Sequence, residues 1–227
     1  MIAIIPARGG SKGLPDKNSK LLNGKPLLSY TIEAALQSLS VSRVIVSTDS
    51  LEIATIAKKY GAEVPFLRPD FLAQDDSKAI DVYDYTIDRL MTEEHIKIDE
   101  FMVLLPTAPL RNAIDIDGAY QLFTEKNADS VISYTEELHP IHWHKFVNEE
   151  GKFEAIFTDN MLQNRQELKK SFYPNGAIYI FKTAVIKKGL YYTENSLAYI
   201  MPNNRSVDID TIDDFEYAEF LIHKANG

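Results

Sequence analysis

Residues 1–18, MIAIIPARGGSKGLPDKN, decide the fold. Ile2 to Ile5 is a short aliphatic run, the kind of segment that lies buried on both faces of a parallel sheet. It passes directly into a loop holding Gly9, Gly10 and Gly13 beside Arg8 and Lys12. In an open α/β sheet ligands gather outside the carboxyl ends of the strands, and Arg8 to Asn18 lies there if Ile2 to Ile5 is the first strand. Glycines let backbone amides approach a phosphate closely, while arginine and lysine supply the opposing charge.

Outward from this stretch the same alternation continues. Val44 to Val46, Phe101 to Leu105, Ser130 to Tyr134 and Gly176 to Phe181 read as further buried strands. Between and after them, helical spacing predicts helices over Pro26–Gln37, Leu51–Tyr60, Lys78–Met91, Asp115–Glu125 and Thr211 to about His223. This order predicts an α/β fold, a doubly wound and mostly parallel sheet with helices on both faces. The rhythm breaks from about His139 to Tyr173, in short segments rich in His, Asn, Gln and charge, which reads as an excursion from the sheet. No linker divides the chain, so residues 1–227 are expected to form one domain.

Composition narrows the function. A hydrophobic content of 45% with 25% charged residues excludes a disordered or fibrous chain. The absence of cysteine excludes a disulfide scaffold, a thiolate zinc site and a cysteine nucleophile, and agrees with a reducing cytoplasm. No apolar run reaches the eighteen or so residues of a membrane helix, and nothing at the amino terminus has the pattern of a secretory signal, so a cytoplasmic protein is expected. A net charge of −9 argues against a general nucleic-acid binder. Yet Arg8, Lys12, Lys17, Lys20 and Lys25 crowd the first 25 residues against Asp16 alone, and so concentrated a positive patch suits a small polyanion.

The familiar phosphate loops are absent: there is neither GxxxxGK[ST] nor GxGxxG, and no GxSxG elbow for a serine hydrolase. His139, His142 and His144 in HPIHWH lack a supporting HExxH helix or cysteine and read as polar interface histidines. Asp49, with Glu52 three residues on, reads as a helix cap. Asp208 and Asp210 are two apart in an extended segment, so their carboxylates point to one side. Such a pair is costly unless a cation joins it, and Mg²⁺ commonly binds through one or two carboxylates plus substrate phosphates. Thr211 and Asp214 have the spacing of a capping box, a local role that covers Asp213 and Asp214 but not Asp208.

IIPARGGSKGLPDKN closely resembles the amino-terminal signature of the CMP-sialic acid synthetases, cytidylyltransferases that activate nine-carbon keto acids. LLPTAPLR (Leu104 to Arg111), RQELKKSFYPNGAIYIF (Arg165 to Phe181) and SVDIDTIDDF (Ser206 to Phe215) resemble the later motifs of that family, in the same order. The resemblance implies a Rossmann-like nucleotidyltransferase fold, CTP and a nonulosonic acid such as sialic or legionaminic acid as substrates, and Mg²⁺ as cofactor. It also implies a homodimer built through the excursion. Arg8, Gly10 and Lys12 would hold the leaving phosphates, and Lys17 and Asn18 would lie against the α-phosphate and nucleoside. Asp208 and Asp210 would hold the metal, and one of them would help deprotonate the attacking hydroxyl.

Arg68 and Ser77 fall in the base-recognition segment, where Ser77 could equally cap the next helix. On the sugar side the resemblance assigns Arg165, Asn175, Gly176, Tyr191 and Tyr192, the two tyrosines being open also to plain packing. Sialic-acid members usually carry glutamine where Leu105 stands, and some carry lysine where His142 stands, which leaves the sugar open. A glycosyltransferase of the GT-A kind, which also uses an acidic pair, is the alternative, although its pair usually lies mid-chain and it lacks a glycine-rich triphosphate loop.

Overall fold

The computed structural model describes residues 1–10, 13–74, 76–157, 166 and 168–226. Its first strand, β1 (Ile2–Pro6), is central in a six-stranded sheet. Short β2 (Leu21–Leu22) and β3 (Lys25–Pro26) form a small ribbon ahead of α1 (Leu27–Gln37). Then come β4 (Arg43–Ser47), α2 (Leu51–Lys59), α3 (Ala79–Glu94), β5 (Glu100–Val103), α4 (Ala113–Glu125) and β6 (Ser130–Glu136). A hairpin of β7 (Lys145–Val147) and β8 (Phe153–Ala155) precedes β9 (Phe172–Lys182), α5 (Thr183–Ile186), β10 (Ser196–Ile200) and α6 (Ile212–Asn226).

The sheet runs β10-β6-β9-β5-β1-β4. β1 pairs in parallel with β4 and β5, and β6 with β10, whereas β9 runs antiparallel to both β5 and β6. The mostly parallel sheet is as expected, with β9 as its reversed strand. β10 was not foreseen: in SLAYI the residues alternate between half-buried and exposed on an edge strand, so the segment lacks the continuous apolar run of its neighbours.

Successive strand residues face opposite ways, and each face has its own helices. Ala3, Ile5, Val44, Val46 and Met102 share a core with α1, α2 and α4, while Ile4, Ile45, Phe101 and Val103 share one with α3 and α5. Each such Val, Ile, Phe or Met side chain contributes roughly 1.5–3 kcal/mol when buried. The caps are local: the Ser50 hydroxyl accepts from the Ile53 amide at 3.3 Å to start α2, and Asn112 with Asp115 forms a reciprocal box at the start of α4. A third core, of Leu14, Leu22, Leu27, Ile209, Phe215 and Ala218, ties the first loop to α6.

β1 leads through α1 to β4 on one side, and the chain then returns to place β5 on the other. The crevice between the ends of β1 and β5 is therefore a topological switch point, the position where α/β sheets take ligands.

Candidate active site

A cleft of about 630 Å³ opens at that switch point. From the β1 end it is lined by Pro6, Arg8, Gly13, Lys17 and Asn18, from the β5 end by Leu105, Pro106 and Thr107, and also by Arg68, Ser77 and Asp210. The strand expected to run to Leu105 leaves the ladder after Val103, which frees residues 105–107 to form this wall.

The amino-terminal loop is held from below. Asn18 is buried, and its side-chain amide donates to the Arg8 carbonyl at 3.0 Å, closing the loop on itself. The Gly9 amide donates to Asp49 Oδ1 at 3.0 Å. Asp49 thus serves the loop, and the cap of α2 is Ser50, a correction to the sequence expectation. The Lys17 ammonium donates to the Ile209 carbonyl at 2.6 Å and to Asp210 Oδ1 at 3.1 Å, so the cationic loop and the acidic segment meet directly. Gly13 explains how they come so close: a Cβ there would lie 2.6 Å from the Asp210 carbonyl oxygen. Around Gly10, by contrast, a Cβ would meet nothing within 4 Å among the described residues. Lys12 lies outside the described residues.

Arg68 is buried, with Nη2 donating to the Ser47 carbonyl at 3.2 Å and Nη1 to the Leu72 carbonyl at 3.4 Å. Its Nη2 also stands 3.9 Å from Asp49 Oδ1, and among the described residues Nε has no acceptor. Burial pulls its pKa down, Asp49 opposes that, and Arg8 adds to the lowering, so two guanidiniums face one region of the cleft. An anion there relieves both. Arg8 Nη1 itself reaches the Ala73 carbonyl at 3.5 Å. Ser77 does not cap α3: its hydroxyl donates to the Phe71 carbonyl at 3.0 Å, and the capping position is Lys78, without a side-chain bond.

At the acidic end, Asp208 is open to solvent on one side and enclosed by protein on the others. Loss of hydration raises its pKa, opposed by a hydrogen bond with the Thr107 side chain and reinforced by Asp210. Gly176, at φ +72°, passes under this carboxylate, and a Cβ would lie 2.9 Å from Asp208 Oδ2. Thr211 and Asp214 make the expected box, with the Thr211 amide donating to Asp214 Oδ2 at 2.8 Å and the Asp214 amide to Thr211 Oγ1 at 3.3 Å. Asp208 and Asp210 remain outside it as hard oxygen ligands beside the anion cleft. That donor set fits Mg²⁺ completing its shell with phosphate oxygens and water. Among the described residues no group of three or more potential metal-ligating side chains exists.

The sugar-side residues divide. Arg165 lies outside the described residues. Asn175 is buried and engaged at both ends: Oδ1 accepts from the Ser133 hydroxyl at 2.6 Å, and Nδ2 donates to the Ser206 hydroxyl at 2.8 Å. It positions Gly176 and the segment leading to Asp208 without reaching the cleft surface. Tyr191 packs edge-on against Tyr83 and Phe181, with ring centroids 6.4 and 5.6 Å away. The Tyr192 hydroxyl is 3.0 Å from that of Tyr134, at the surface. Tyr179 is a residue that sequence reasoning missed. Burial and then Asp208 push its pKa up to about 12, and its signal was only that of an aromatic within a strand. In the excursion, His142 lies against Phe157 with ring centroids 5.3 Å apart.

The family described as Cytidylyltransferase matches residues 2–225. A pseudaminic acid cytidylyltransferase of Campylobacter jejuni is 35% identical over 226 residues, covering 99% of this chain and 97% of its own. An N-acylneuraminate cytidylyltransferase of Escherichia coli is 38% identical across the whole chain, which spans 53% of that longer protein. A CMP-N,N'-diacetyllegionaminic acid synthase of Legionella pneumophila is 36% identical, covering 98% of this chain and 96% of that one. Among solved structures, CMP:2-keto-3-deoxy-manno-octonic acid synthetase complexed with CTP superposes with a TM-score of 0.74 at 17% identity, over 99% of this chain and 98% of that one. A 4-diphosphocytidyl-2C-methyl-D-erythritol synthase superposes at 0.68 and 12%, over 97% of each. By sequence along nearly its full length, and by a fold shared with other cytidylyl-transferring enzymes, the chain belongs to the cytidylyltransferase family that includes these CMP-nonulosonate enzymes.

Proposed function

We propose that this protein transfers the cytidylyl group of CTP to a nonulosonic acid, giving the CMP-sugar and pyrophosphate. The observation that carries the reading is the meeting of Lys17 with the Ile209–Asp210 segment at the cleft, which brings a basic loop and Asp210 of the acidic pair to one space. The anomeric hydroxyl attacks the α-phosphorus in line: a bond from that oxygen to phosphorus forms, the bond from phosphorus to the oxygen bridging to the β-phosphate breaks, and the hydroxyl proton passes to solvent with the help of one of the carboxylates of Asp208 and Asp210. Such transfers are catalysed chiefly by positioning and charge stabilisation. Arg8 and Lys12 stabilise the charge that builds on pyrophosphate, and Arg68 orients the nucleotide at the far wall. Asp208 and Asp210 would hold Mg²⁺, which would neutralise phosphate charge. Gly176, Thr107 and Asn175 fix the Asp208 carboxylate.

Pairing of two copies through the excursion completes the proposal. Phe146, Val147 and Phe153 on its hairpin are more than 60% exposed, and Trp143 is 48% exposed beside them, an apolar surface of the kind that oligomers cover. The test is incubation with CTP, Mg²⁺ and matched sialic, legionaminic and pseudaminic acids, following CMP-sugar and pyrophosphate. Formation of both with one sugar is expected. Consumption of a nucleotide sugar in place of CTP would replace the reading with the glycosyltransferase one.

A further inference from the structure

Behind the cleft, on the other side of the 105–111 segment, lies a second cavity of about 640 Å³ between α1, the start of α4 and the end of α6. Its lining includes Gln37, Arg111, Asn112, Asn204, Arg205 and Lys224. Arg111 is only 2% exposed and belongs to none of the chemistry above.

Its surroundings do not balance its charge. The nearby carboxylate, Asp115, is taken by Arg205 in a two-pronged pair, Nε to Oδ2 at 2.9 Å and Nη2 to Oδ1 at 2.8 Å. Asp115 Oδ2 also accepts the Asn112 amide at 3.2 Å. Arg111 is left with neutral acceptors, the Thr31 hydroxyl at 2.7 Å from Nη2 and the Leu105 carbonyl at 3.4 Å, and among the described residues its Nε has none. Glu33, the acidic residue of the lining, is paired with Lys25 at 2.7 Å. Two guanidiniums thus stand near one carboxylate, and of the two it is Arg111, the one without an ion-pair contact to it, that is buried, while Arg205 is partly exposed. A buried charge without a counterion is unfavourable by several kcal/mol. Beside it the cavity offers amide side chains from Asn112, Asn204 and Gln37, with a further cation, Lys224, at its exposed rim.

We infer that this second cavity is a binding site for a small oxyanion, a carboxylate or phosphate group on a molecule of modest size, seated against Arg111 and Arg205 with Lys224 at the entrance. The shape and amide lining suit a small molecule over a macromolecular surface. Both walls lead to the first cleft. The Leu105 carbonyl that Arg111 holds is two residues from Thr107, and Arg205 is three residues from Asp208, so an occupant bears on the segments that shape the acidic end.

The test is NMR titration of the uniformly ¹⁵N-labelled, assigned full chain with inorganic phosphate and, separately, with succinate. The side-chain Nε–H of Arg111 and the side-chain amides of Asn112 and Asn204 should shift with saturation in the millimolar range, and Lys224→Glu should weaken that saturation several-fold while leaving the spectrum otherwise intact. Response to one probe alone identifies the oxyanion as phosphate or carboxylate. Shifts confined to Arg8, Asn18 and Arg68 in the first cleft, no shift at all, or saturation unchanged by Lys224→Glu would overturn the inference. Because binding is read at Arg111 and not through turnover, its failure and that of the proposed transfer reaction are distinguishable.

Discussion

Replacing Gly13 with alanine isolates the contact on which the cleft depends. A Cβ at this position would stand 2.6 Å from the Asp210 carbonyl oxygen, and the obstacle is backbone, with no flexible side-chain end to swing aside. Restoring an ordinary separation near 3.4 Å moves the first loop and the acidic segment apart by about 0.8 Å. Lys17 bridges the same two pieces at 2.6 and 3.1 Å, and a displacement of that size weakens the shorter hydrogen bond and takes the longer one out of range, or strains the lysine. Loss of a charge-assisted hydrogen bond costs about 1.5–3 kcal/mol, which at roughly 2–4 °C per kcal/mol lowers the melting temperature by about 3–12 °C. The effect on turnover is larger, because a 1 Å misplacement between catalytic groups can cost about 100-fold. Measured as pyrophosphate release with CTP and the accepted sugar, Gly13→Ala should therefore lose about two orders of magnitude in kcat/KM while keeping its far-UV circular dichroism. Gly10→Ala, whose Cβ enters open space, should melt with the wild type. Turnover of Gly13→Ala within threefold of wild type would refute the reasoning, since the two segments would then not need their present closeness.

Three further outcomes are expected. Asp208→Asn should abolish metal-dependent turnover yet melt no lower than wild type at pH 7.5, because burial disfavours the charged carboxylate; a clear drop in melting temperature would contradict this. Asp117 accepts from the hydroxyls of Ser38 at 2.6 Å and Ser40 at 2.5 Å and from the amides of Ser40 and Leu39. Burial alone would raise its pKa, but these donors win and hold it below the ordinary carboxylate value of 3.8. Its stabilisation is therefore present above that value and lost as pH falls through the depressed one, so Asp117→Ala should cost about 2 kcal/mol in neutral denaturant melts and progressively less in acid; a pH-independent difference would count against it. Phe146→Asp with Phe153→Asp should convert a dimer to a monomer in light scattering, and an unchanged mass would remove the hairpin from the interface.

The parts of this protein legible in its sequence are those where one physical demand dominates. Strands buried on both faces must be apolar throughout, so Ile2–Ile5 and Val44–Val46 announced themselves, and their alternate residues do meet helices on opposite sides. The excursion's hairpin and β10 were not legible, because exposed or edge strands answer to mixed demands and carry mixed residues. At the site, Arg8 and Lys17 are legible as a basic loop and Asp210 as one of an acidic pair, while Asn18 and Arg68 follow from the family resemblance, and the fold gathers all five into one cleft. What pattern could not reveal was the division of labour. Asp49 was taken for a cap although its partner, the Gly9 amide, is forty residues away. Asn175 looked like a ligand-facing amide, whereas its bonds run inward to Ser133 and Ser206.

The small third core carries a consequence for biosynthesis. Leu14 and Leu22 from the beginning of the chain are covered by Ile209, Phe215 and Ala218 from near its end. A growing polypeptide can form much of its sheet while still attached to the ribosome, and the first loop can already meet Asp49, Leu22 and Leu27, but its cover from Ile209, Phe215 and Ala218 waits until that part of the chain has emerged. Nucleotide affinity should therefore arrive late and all at once, when the last helix closes over the first turn of the molecule.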